Sequence, residues 1–152
     1  MRKIFFVFGL VICFFISGCG KKEFITNCNM KSDQTLSGYV IESNYKVYSK
    51  KNIVTKVEIN EEISSEKSDV LSNFKSMYES QYDSNNNRYG GYSYKMSEKD
   101  GKLIIDLTID YSNMNIEKFV SDNAAFSDYL EDNKLTLEGI KKMYKTSGIV
   151  CE

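Results

Sequence analysis

The chain has 152 residues, a formal net charge of −1 and a mean hydropathy of −0.40. It contains no histidine, which excludes Ser-His-Asp and Cys-His mechanisms and removes the commonest general base and metal ligand. Residues 1–18 hold two of the twenty basic residues and no acid, so the remainder carries −3; it lacks the clustered positive charge of a nucleic-acid binder.

The N-terminus reads as an export signal. Met1-Arg2-Lys3 is basic, and Ile4 to Ile16 is an uncharged apolar run. A transmembrane helix needs about 20 apolar residues, whereas a shorter run behind a basic start suits a secretory signal peptide. An uncleaved helix, closed by Lys21, Lys22 and Glu23, is the competing reading. Ile16-Ser17-Gly18-Cys19 resembles the lipobox of bacterial lipoproteins. That resemblance implies a diacylglycerol thioether on Cys19 and cleavage just before it. Two acyl chains supply the two signals that stable anchoring requires, and Lys21 and Lys22 would lie beside anionic headgroups. The division expected is a signal peptide over 1–18, a lipidated tether over 19–27 and one domain over 28–152, of ordinary single-domain size. The expected location is the extracytoplasmic face of the cell membrane, held by the lipid.

The other cysteines are Cys13, which leaves with the signal, and Cys28 and Cys151. Two cysteines in an exported protein read as a disulfide; the alternative is two free thiols.

Beyond the unpatterned Gly20–Asn27, Tyr39–Tyr48 and Ile53–Ile59 read as strands of a hairpin, with Ile53, Val57 and Ile59 on one face. The period then becomes helical. Val70, Leu71, Phe74, Met77 or Tyr78, and Tyr82 follow caps at Ser64 or Ser65, and "DSNNNRYGG" is expected to break the helix. A second hairpin joins "GYSYKM" to "KLIIDLTIDYS" through "SEKDG", whose Asp-Gly is a turn signal. Leu103, Ile105, Leu107, Ile109 and Tyr111 share one face, and Asp106, Thr108 and Asp110 the other. A helical stretch is expected from Asn115 to about Glu131. A last helix is expected behind a Thr136 cap, with a Leu135–Ile140 staple and Gly148 as its left-handed stop. The pattern predicts an α+β domain, an antiparallel sheet of about four strands in ββαββαα order with helices on one face.

"LTIDYSNMNIEKF" followed by "LTLEGIKKMYKTSGIVC", behind a lipobox, resembles the YehR-like bacterial lipoproteins. The resemblance implies the same fold and anchoring and brings no active site with it.

Candidate chemistry is sparse. Asp106 and Asp110 share a strand face but stand about 13 Å apart, beyond the roughly 5–9.5 Å of glycosidase carboxylate pairs; a solvated polar face accounts for them. Asp83 to Asn87 begins like a calcium loop, yet Arg88 stands where glycine is needed and Tyr94 where glutamate is needed, so an Asx-rich loop is expected. Tyr89, Tyr92 and Tyr94 cluster after it. Their flat rings with polar tips suit peptide or sugar contact, against the plainer reading that they pack at element margins. No catalytic residue, cofactor or metal site is assigned. The function expected is a binding or accessory module at the cell envelope, with an envelope protein or glycan as partner and no nucleic acid. The alternative is a carboxylate-dependent hydrolase of envelope material.

Overall fold

The computed structural model describes residues 22–34 and 37–152. The apolar run, the lipobox, Cys13 and Cys19 lie outside them.

Three long strands lead the chain: β1 (Phe24–Gln34), β2 (Tyr39–Lys50) and β3 (Ile53–Ser64). Helix α1 (Ser68–Tyr89) follows, then β4 (Tyr92–Lys99) and β5 (Lys102–Asp110). The rest is short: α2 (Ile116–Asp122), a 3-10 turn over Ala124–Tyr129, β6 (Leu130–Glu131), β7 (Lys134–Leu135), α3 (Leu137–Thr146) and β8 (Val150–Cys151). Six strands form one sheet in the order β4-β5-β3-β2-β1-β8, every pair antiparallel, and β6 and β7 form a separate hairpin. Among the described residues no helix is long and apolar enough to cross a membrane.

The expected four-stranded ββαββαα arrangement is therefore wrong. Its largest omission is β1, whose first four residues, Phe24 to Asn27, fall in the expected tether. The sequence FITNCNMKSDQ buries little along the edge of a sheet; only Cys28 is fully buried. An edge strand with one half-filled face leaves no strong alternation to read. Strand β8 is two residues long and is held where Cys28 pairs with Cys151. Those two cysteines are bonded, as expected. The stretch Asn115–Glu131, expected to be one helix, is divided at Asn123, where the backbone leaves the helical region.

Alternation places the core. In β5, Leu103, Ile105 and Leu107 are buried, and Asp106 is exposed. Across the register they meet Ile63, Glu61 and Ile59 of β3, which in turn meet Ile41, Ser43 and Tyr45 of β2. This is the inner face, and all three helices lie against it. A bulge between Tyr48 and Ser49 shifts the phase of β3. Val54 thereby takes the buried position, and Ile53 leaves the face assigned to it with Val57 and Ile59.

Two separate apolar clusters result. One packs Val47, Val57 and Tyr45 against Ile140 and Tyr144 of α3. The other packs Ile63, Leu103 and Ile105 against Leu71 of α1. The cap of α3 is as expected: the Gly139 amide donates to Thr136 Oγ1 at 3.0 Å, with Leu135 and Ile140 both buried. Helix α1 is capped elsewhere than expected. Ser64 ends β3, Lys67 is the N-cap, and Ser65 Oγ instead accepts from the Lys67 amide and donates to the Gly38 carbonyl.

Candidate functional site

Among the described residues, no helix lies on the outer face of the six-stranded sheet. Strand pairing lines up one polar row across it: Asn29 opposite Asn44, Asn44 opposite Asn60, Asn60 opposite Asp106, and Asp106 opposite Lys95. All five side chains are exposed. At the usual strand spacing the row runs roughly 19 Å. The Asn60 amide nitrogen donates to Asp106 Oδ1 at 2.8 Å, which fixes the middle of the row. Each remaining carboxamide offers two donors and two acceptor lone pairs. A shallow groove of about 240 Å³ lies along the row, lined by Asn44, Lys46, Glu58, Asn60, Asp106 and Thr108. Glu58 is fixed within it, accepting from Lys56 Nζ at 2.6 Å and from the Tyr48 hydroxyl at 2.7 Å. The Lys56 ammonium, then the Tyr48 hydroxyl, hold its carboxyl below the usual range. The surface can therefore present fixed acceptors and fixed amide donors to an extended ligand.

Asp106 and Asp110 both lie on β5, and they are not brought together. Asp106 is engaged by Asn60. Asp110 closes the turn that follows, accepting from the Ser112 amide at 2.9 Å and from Asn113 Nδ2 at 2.6 Å. Among the described residues no group of three acids and cysteines is placed to hold a metal.

The three tyrosines do not form one patch. Asp83 to Asn87 are helical, continuing α1 to Tyr89, so the expected loop is absent and the calcium-loop comparison lapses with it. Asn and Asp are weak helix formers, but the packing phase Leu71, Phe74, Tyr78, Tyr82, Asn85 and Tyr89 runs through them. Tyr89 is buried and meets Phe119 edge-on at 5.0 Å. Tyr92 and Tyr94 lie on β4, on the inner face, opposite Ile109 and Leu107. The Tyr94 hydroxyl donates to Asp83 Oδ1 at 2.9 Å, and the Tyr92 amide donates to Asn86 Oδ1 at 3.2 Å. The polar residues that looked like a loop thus tie the end of α1 to β4. Gly90, at φ +73°, ends the helix with its amide donating to the Asn86 carbonyl at 2.8 Å.

A second feature was not anticipated from the sequence. Glu61 lies on the inner face, in phase with Val57, Ile59 and Ile63, in the gap between the two apolar clusters. Its Oε2 accepts from Ser43 Oγ at 2.7 Å, while Oε1 is buried with no hydrogen-bond partner. Tyr78 and Tyr82 of α1 stack over this gap, ring centroids 5.5 Å apart. Burial first, and the Glu61 charge second, push both phenols well above their ordinary range. Tyr45 shifts the same way, chiefly through burial. The sequence did hold the clue, because Glu61 interrupts an otherwise apolar alternation.

No family model matches the chain, nor does any curated protein sequence. Solved structures do match. The NMR structure of the YehR protein of E. coli is 16% identical with a TM-score of 0.56, over 87% of this chain and 92% of that one. The NMR structure of a protein from Streptococcus pneumoniae is 12% identical with a TM-score of 0.53, over 88% of this chain and 87% of that one. The chain is therefore similar in fold to YehR along most of its length.

Proposed function

We propose that the protein is a YehR-like lipoprotein, anchored through Cys19 at the extracytoplasmic face of the membrane, and that it works as a binding or accessory module for an envelope protein or glycan. The observation that carries the binding role is the in-register row Asn29, Asn44, Asn60, Asp106 on the uncovered sheet face. A strand face that no described element covers, set with carboxamides in place of apolar residues, meets a hydroxyl- or amide-rich partner without demanding burial of its own polar groups.

The test is site-specific photo-crosslinking in intact cells. A photoreactive residue at Asn44 is expected to capture a partner. The same residue at Met77, which is exposed on α1, is expected not to. Treating the captured species with a protease or a glycan-cleaving enzyme identifies its class. Equal capture from both positions, or none from Asn44, would count against the open face as the contact surface.

A further inference from the structure

We infer that the end of the sheet carrying Phe24 and Ile25 rests on the lipid surface itself, so that the domain is seated on the bilayer and not merely tethered to it. The inference rests on the anchoring of Cys19 proposed above. Large exposed apolar side chains among the described residues are few: Phe24, Ile25, Met77 and Val150. Single exposed apolar residues are ordinary, but Phe24 and Ile25 are consecutive, each 55% exposed, at the first two positions of β1. Successive strand residues point to opposite faces, so the pair caps the sheet end from both sides.

The same end carries three lysines, Lys22, Lys50 and Lys51, against two acids, Glu23 and Glu138. Lys22 Nζ sits 5.9 Å from the centre of the Phe24 ring. Phe24 pairs with Ser49 and Ile25 with Tyr48, next to the β2–β3 turn with its Lys50 and Lys51. Lys50 pairs with Glu23 at 3.5 Å, and the start of α3, which brings Glu138, is bonded to the same turn through Asn52. Aromatic and aliphatic side chains ringed by lysine ammonium groups suit an anionic membrane interface, where such apolar groups enter about 5–10 Å.

Chain length supplies the constraint that singles out this occupant. Because β1 begins at Phe24, only Gly20 to Glu23 separate it from Cys19. Five residue steps reach at most about 17–18 Å. An anchor that short holds this end, and not the hairpin at Asp100-Gly101 far along the sheet, within contact distance of the headgroups.

The chain has no tryptophan, so a single introduced one reports alone. The full lipidated chain carrying Phe24→Trp would be reconstituted into phosphatidylglycerol–phosphatidylethanolamine vesicles containing brominated acyl chains. A second variant carries Lys99→Trp at the opposite end. Quenched, blue-shifted emission from position 24 and unquenched emission from position 99 are expected. Ile25→Trp should behave like position 24. Protein that floats with the vesicles but shows no quenching at positions 24 and 25 overturns the seating and leaves the anchor standing. Protein that does not float refutes the anchor, and the seating with it.

Discussion

A carboxylate on the covered face of a sheet gives up water, and Glu61 recovers a hydrogen bond on only one of its two oxygens. A buried group left unsatisfied costs about 1–3 kcal/mol, and more when charged. Glu61→Gln keeps an oxygen for Ser43 and removes the charge. It is expected to raise stability by about 1 kcal/mol in urea melts. A loss of stability instead would mean that the surrounding tyrosine hydroxyls hold the charge. Asp110 presents the opposite case. The Ser112 hydroxyl, together with the Asn113 amide and the backbone amides of both residues, lowers its carboxyl below the ordinary 3.8. A carboxyl with a depressed folded pKa contributes stability that is fully present above its unfolded pKa and is lost as pH falls through the folded value. Asp110→Ala should therefore lower the melting temperature at neutral pH and flatten the decline below about pH 4. An unchanged acid limb would show that the turn does not depend on this carboxylate. Binding at the open face should survive Asp110→Ala, because Asp110 closes a turn and stands outside the polar row.

At the scale of elements, joints that the sequence does not mark hold the structure together. The close approach at Gly139 is one. A Cβ there would lie 2.0 Å from the Tyr129 carbonyl oxygen, a backbone atom that has little room to yield. Gly139→Ala should cost about 1–3 kcal/mol or more and loosen α3 from the 3-10 turn, visible as a lowered denaturation midpoint with unchanged m. The bond between Cys28 and Cys151 is a joint that the sequence does mark. It spans 123 positions, and removing it by Cys151→Ser should cost up to about 4–5 kcal/mol in the chain-entropy view. Hydrogen exchange should rise first at β8 and its partner amides in β1, while β2, β3 and β5 stay protected. Uniform loss of protection across the sheet would refute that division. The elements that the sequence revealed were those with a strong period or a forced turn: β5, the Asp100-Gly101 hairpin, and α3 with its Thr136 cap. Strand β1 was hidden because an edge strand needs only one buried residue in its middle. The end of α1 was hidden because packing by Tyr82 and Tyr89 outweighs the weak helical preference of Asn and Asp. The carboxamide row was hidden for another reason: it exists only across strands, through a register that no single strand encodes.

Taken whole, the molecule separates its tasks by direction. The inner face is filled by helices, the outer face is left polar, and the proposed anchor at Cys19 would join the domain at the start of β1. Among the described residues, none of the buried side chains lies before Cys28, so the packed core there draws nothing from the segment proposed to lead to the anchor. Folding and anchoring should therefore come apart on mutation. In Cys19→Ala the domain should still form its disulfide and resist proteolysis as the native protein does, because every core contact is kept. What should change is its place. Without a thiol to alkylate, the precursor either stalls uncut or loses its hold, since a single weak membrane contact gives only marginal, reversible binding and stable attachment takes two. Cell fractionation with a protease-protection assay reads both properties on one sample. Processed protein that still sediments with membranes after a carbonate wash would refute the lipobox reading, and misfolded protein would refute the independence of the core from its anchor.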